Sequence, residues 1–123
     1  MKRIIKCSED IFWMANLNPQ KAGLGDIEIW ADHGGIQRRV SHRDTPRVKM
    51  QKGDLSISVS ISDQPKVLAR NKRVKHNKLS GFQPGIDYVA RNYDIFLKHY
   101  NDTTFSFDDE ALFQALRDRG EYK

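Results

Sequence analysis

The sequence predicts an α+β fold: a small antiparallel β-meander or open barrel packed against C-terminal α-helices. Three observations carry this expectation. Residues 55–62 alternate strictly, Leu55, Ile57, Val59 and Ile61 being interleaved with Ser56, Ser58, Ser60 and Ser62. A period of two is that of a strand with one buried face. After Pro84 the period changes, and Ile86, Val89, Ala90, Tyr93, Phe96, Leu97 and Tyr100 form one apolar stripe at helical spacing. Between these regions and upstream of them, short apolar runs are separated by turn residues at the spacing of hairpins. With 123 residues the chain is one domain's worth, with a β-rich basic middle (26–79) and a helical C-terminal part (84–119). A chain of this size buries roughly two-thirds of its unfolded surface, enough for one core without staples.

Taken in order, residues 8–17 fit a short helix capped by Ser8, with Glu9 and Asp10 at its positive end, or an irregular segment equally well. "NPQKAGLGD" reads as a loop, from its Asn-Pro and its two glycines. "IEIW" reads as a strand, "DHGG" as a turn and "IQRRV" as a second strand. "SHRDTP" turns into "RVKM", "QKGD" turns into the serine strand, and "SDQP" turns out of it into "KVLA". Residues 70–81 form a basic loop carrying Arg70, Lys72, Arg73, Lys75, His76 and Lys78. The stripe from Ile86 to Tyr100 predicts one helix of about four turns, with Pro84 in its first turn and Asn101 as its stop. On that helix Tyr88 falls off the stripe and is expected on the surface. A final helix follows, with Ser106 as candidate N-cap, Asp108 to Glu110 at its positive end and Gly120 closing it. Trp13 and Trp30 sit in apolar runs and are expected in the core.

The net charge of +5 is unevenly spread. Residues 33–79 hold twelve cations against three anions, whereas the segments on either side are slightly acidic. A local excess of +9 attracts anions whatever the fold. All twelve aromatic residues lie outside this segment, with Trp30 at its margin. Single-strand binders stack bases on aromatic side chains. A partner of this region is therefore expected to be met through phosphates, with shape and charge read more than sequence. The candidate binding residues are Arg38, Arg39, Arg43, Arg47, Lys49, Arg70, Lys72, Arg73, Lys75 and Lys78. The serines add to this picture. Strand propensity favours Thr over Ser on a solvated face, whereas small hydroxyls let a polymer backbone or a second sheet approach closely.

Other chemistries find less support. The single cysteine, Cys7, cannot form an internal bridge, which points to a reducing, cytoplasmic setting. The chain starts with cations as a secretory signal does, but the apolar stretch such a signal needs is missing, and no run is long enough to span a membrane. Gly23-Leu24-Gly25 precedes a strand, not a helix, so it reads as a turn and not as a phosphate-binding loop. The four histidines lack zinc-site spacing, and no cofactor is implied. The one acid–base alternative pairs His33 or His42 with Asp32 or Asp44, the minimum for a small nuclease or toxin.

"GLGDIEIW", "PRVKM", "SISVSISDQPKV" and "FLKHYND", over about residues 24–102, resemble a pattern shared by short, functionally uncharacterised proteins of bacteria and their phages. The shared motifs are structural, so the resemblance implies small size and a mobile-element context but no activity. Small phage proteins often block a host enzyme or ribonucleoprotein, CRISPR effectors included, which by analogy makes an anti-CRISPR-like inhibitor one form to expect. The leading expectation is a non-enzymatic binding protein whose basic surface engages nucleic acid, or an acidic groove of a nucleic-acid-binding protein, away from membranes. A homodimer pairing through the serine strand is a third possibility.

Overall fold

The computed structural model describes residues 14–32, 45–104 and 106–123. Within them the chain builds a five-stranded antiparallel sheet whose spatial order equals its sequence order: β1 (Met14–Leu17), β2 (Glu28–Asp32), β3 (Arg47–Lys52), β4 (Leu55–Ser60) and β5 (Val67–Arg70). One short helix, α1 (Pro19–Ala22), lies between β1 and β2. A 3-10 helix (His76–Phe82) and three α-helices follow the sheet: α2 (Gln83–Arg91), α3 (Tyr93–Asn101) and α4 (Asp109–Asp118). The architecture is α+β, with an open sheet and not a barrel.

Alternation decides which side chains meet. Leu17, Ile29, Met50 and Ile57 stand opposite one another across four strands, and so do Ala15, Ala31, Val48 and Val59. None of these eight is more than 2% exposed. They form the floor of the core, and Val89, Phe96, Leu112 and Leu116 from the helices form its roof. The packing is close enough to require glycine at one point. A Cβ on Gly85 would lie 3.0 Å from Met50 Sδ and 3.1 Å from Ile27 Cγ2. The hairpin between β3 and β4 turns through Gly53 at φ 62°, the left-handed conformation a tight hairpin asks of its first turn residue.

Several elements differ from expectation. Residues 14–17 form an edge strand, not a helix, because their backbone pairs with β2 from Leu17–Ile29 to Met14–Asp32. The loop after them contains α1, which Asn18 caps by accepting from the Gln20 and Lys21 amides, and which Gly23 ends at φ 72°. The basic segment 70–81 is only partly a loop, since the 3-10 helix starts at His76. The last helix is capped by Asp108, whose carboxylate accepts from the Ala111 amide, because the Ser106 hydroxyl is taken up with Asp102 and Thr104.

The expected four-turn helix is two helices, α2 and α3, meeting at Asn92. The buried stripe runs through Gly85, Tyr88, Val89, Asn92, Ile95, Phe96, His99 and Tyr100, one position away from the purely apolar pattern, because two polar residues belong to it. Tyr88 is fully buried and donates to the Glu121 carbonyl at 2.8 Å, whereas Tyr93 is 38% exposed. Both positions are the reverse of expectation. The strand "IQRRV", the turn at residues 33–35 and Trp13 lie outside the described residues. No helix among the described residues is long and apolar enough to cross a membrane.

Candidate nucleic-acid interface

The helices cover one face of the sheet, and the serines look out from the other. Ser56, Ser58 and Ser60 are each half-buried on this outer face. Register places them in rows with the side chains of the other strands. One row runs Asn16, Trp30, Lys49, Ser58, Ala69, a second Glu28, Gln51, Ser56, and a third pairs Arg47 with Ser60. Trp30 therefore belongs to this face and not to the core. Counting parity from buried Ile29 locates it there, since neighbouring strand residues point to opposite sides.

The face is electrically lopsided. On the β1–β2 side Asn16 donates to Glu28 at 3.1 Å, and Asp32 ends β2. On the β3–β5 side stand Arg47 and Lys49, whereas Arg70, paired with Ile57, points by the same parity to the other side of the exposed strand β5. A shallow depression of about 80 Å³ lies between β3, β4 and β5, lined by Lys49, Ser56, Ile57, Ser58, Ala69, Arg70 and Asn71. Its lining holds two cations and two hydroxyls but no carboxylate. Asn71 is fixed there by donating to the Asp54 carbonyl at 2.8 Å, while its amide N–H bonds the Ser56 carbonyl at 3.0 Å. The Asn71 Oδ1 and Trp30 Nε1 atoms are buried without a hydrogen-bond partner among the described residues. A buried polar atom left unpaired costs about 1–3 kcal/mol.

The structure brings only part of the sequence-derived set together. Lys49 and Arg70 border one depression, with Arg47 on the same β3 strand. Lys72, Lys75 and Lys78 are exposed on the segment that leaves β5, with Lys75 immediately before the 3-10 helix and Lys78 on it. Arg73 is committed to an ion pair with Asp54 in the β3–β4 turn. Arg38, Arg39 and Arg43 lie outside the described residues, as do His33, His42 and Asp44 of the acid–base alternative. Among the described residues no group of three or more His, Cys, Asp or Glu side chains could hold a metal ion. Asn71 and Gln51 are members of the face that the sequence reading missed. Asn71 had no signal of its own, because its place depends on pairing with Ser56 and Asp54 across a hairpin.

A second polar cluster lies far along the chain, where the helices meet the C-terminus. Arg119 holds Asp94 in a two-pronged pair at 2.8 Å for each bond, and this holds the Asp94 carboxyl at about 2. Arg91 donates to Glu121 at 2.9 Å and Asn92 at 2.8 Å, which together keep the Glu121 carboxyl below its usual range despite partial burial. Burial, and then the charge of Glu121, pushes the Tyr88 phenol well above its usual range, so it stays protonated and donates to the Glu121 carbonyl. Every polar group named here has a partner within the fold, which marks the cluster as structural. No family model matches the chain, and neither does any curated protein or solved structure.

Proposed function

We propose that this chain is a non-enzymatic binding protein that engages nucleic acid through the phosphate backbone, using the β3–β5 side of the outer sheet face. The observation that carries the reading is the outer-face row in which Lys49 pairs with Ser58 and Arg47 with Ser60, beside a depression with no Asp or Glu in its lining. Cations supply attraction through counterion release, and hydroxyls donate to phosphate oxygens. Serine is the residue that does this while keeping the surface low enough for a backbone to approach. Arg47 extends the face, and Lys72, Lys75 and Lys78 continue the positive charge beyond β5. By analogy with small phage proteins that block host machinery, a host ribonucleoprotein is one place where such a surface would act. β4 is hydrogen-bonded on both sides, so a second copy meets the serines only face to face.

The test is fluorescence anisotropy with a labelled DNA duplex of random sequence near physiological salt. Binding is expected at about 10⁻⁴–10⁻⁶ M, the range of sequence-independent contacts, and Lys49→Glu weakens it for all sequences alike. Absence of binding in that range contradicts the proposal. Cleavage of the duplex, lost in His33→Ala or His42→Ala, replaces it with the nuclease reading.

A further inference from the structure

Strand β5 is built unlike the other four. All four of its residues are exposed, although it continues a sheet whose next strand is half core. Val67 at 39% and Leu68 at 38% are two of the three large apolar side chains exposed among the described residues, the third being Tyr93. β5 thus runs past the edge of the helical layer, and among the described residues its neighbour in the sheet is β4 alone.

The ladder shows which backbone groups are left over. The Ser60 amide bonds the Lys66 carbonyl at 2.9 Å, and the Asn71 amide bonds the Ser56 carbonyl at 3.0 Å. Bonded and non-bonded pairs alternate along an antiparallel ladder. Val67, opposite Val59, and Arg70, opposite Ile57, are therefore the non-bonded positions. Their N–H and C=O groups point away from β4, toward the free side. A bulge separates them, since Leu68 is an extra residue against Ser58. The two free positions lie opposite Val59 and Ile57, two residues apart on β4, and the bulge between them bends β5, so an incoming strand must follow that bend to pair with both.

Charge selects the occupant. Residues 64–86 contain six cations, Lys66, Arg70, Lys72, Arg73, Lys75 and Lys78, and no Asp or Glu. A second copy adding edge to edge would set cations against cations, and like charges opposite each other destabilise a pair. Lysine and arginine on an edge strand are a common defence against such self-pairing. A phosphate backbone offers no donors to the two free carbonyls and nothing to cover Val67 and Leu68. An extended peptide does both, and carboxylates on it complete the match. We propose that β5 accepts an acidic, extended segment of a partner protein as a sixth strand. This mode of recognition takes affinity from main-chain bonds and specificity from side chains.

The test uses the full chain and a labelled peptide alternating Glu and Val. The peptide is expected to bind, and amide hydrogen exchange is expected to slow at Val67 and Arg70. The same peptide N-methylated at every residue, and one alternating Lys and Val, should each bind about tenfold weaker or worse, a factor worth about 1.4 kcal/mol. The double variant Lys66→Glu with Arg70→Glu should reverse the preference between the acidic and basic peptides. These are exposed positions, and the N-methyl comparison needs no variant at all. No binding of the Glu/Val peptide, equal binding of its N-methylated form, or protection of the same two amides by a DNA duplex would each overturn the proposal. Lys49→Glu leaves β5 intact and should leave peptide binding unchanged, so failure here is distinguishable from failure of the nucleic-acid reading.

Discussion

Asn92 shows how one residue settles a local structure that its neighbours leave open. It is fully buried, its amide donates to the Tyr88 carbonyl at 3.0 Å and to Glu121 at 2.8 Å, and it puts a polar group on the buried face of the helices. Asparagine competes with the helix for backbone groups, which is why it favours helix ends over interiors. The Asp94–Arg119 pair beside it gives a pH prediction. Arg119 lowers the Asp94 carboxyl from 3.8 to about 2 in the folded chain. The contribution is complete above the unfolded value and is lost as pH falls through the folded one. Both side chains are partly solvated, so it amounts to roughly 1 kcal/mol or less. Thermal melts of wild type and Arg119→Gln should differ by a small margin near neutral pH, and the two curves should converge as pH falls toward about 2. A difference that widens in acid would contradict the pairing.

At the scale of elements, strands with strict alternation were legible and elements set by distant partners were not. The serine strand carries its burial pattern in its own sequence, and Gly53 marks the turn before it. Strand β1 has no such pattern, and only its pairing with β2 makes "MANL" a strand. The helix break was hidden because the group that receives Asn92, Glu121, is 29 residues away. Half of the candidate site was legible on the same grounds. Lys49 and the serines follow from alternation, whereas Asn71 and the parity of Trp30 emerge from register. The burial pattern has a direct consequence for stability. Tyr88→Ala should cost about 3–5 kcal/mol, as for other large buried aromatics, and Tyr93→Ala should stay within about 0.5 kcal/mol. Urea denaturation of the two variants checks this, and equal losses would contradict the burial of Tyr88 and the exposure of Tyr93.

At the scale of the whole molecule, the sheet divides the labour. Its inner face is spent on the core, and its outer face carries Glu28 with Asn16 on the β1–β2 side and hydroxyls with Arg47 and Lys49 on the β3–β5 side. The positive charge follows the chain out of the sheet along Lys72, Lys75 and Lys78, while the helical end carries the acidic balance. A field of this shape orients an anionic polymer toward the β3–β5 side before contact. The most direct test of that assignment is the salt dependence of duplex binding. If about six phosphates are neutralised, log K falls against log salt with a slope of about −5. The double variant Lys49→Glu with Arg47→Glu should make the slope less steep by about 2, one for each phosphate contact removed. A slope unchanged by the two substitutions, or tight and salt-insensitive binding to single strands of one sequence, would place the binding surface elsewhere.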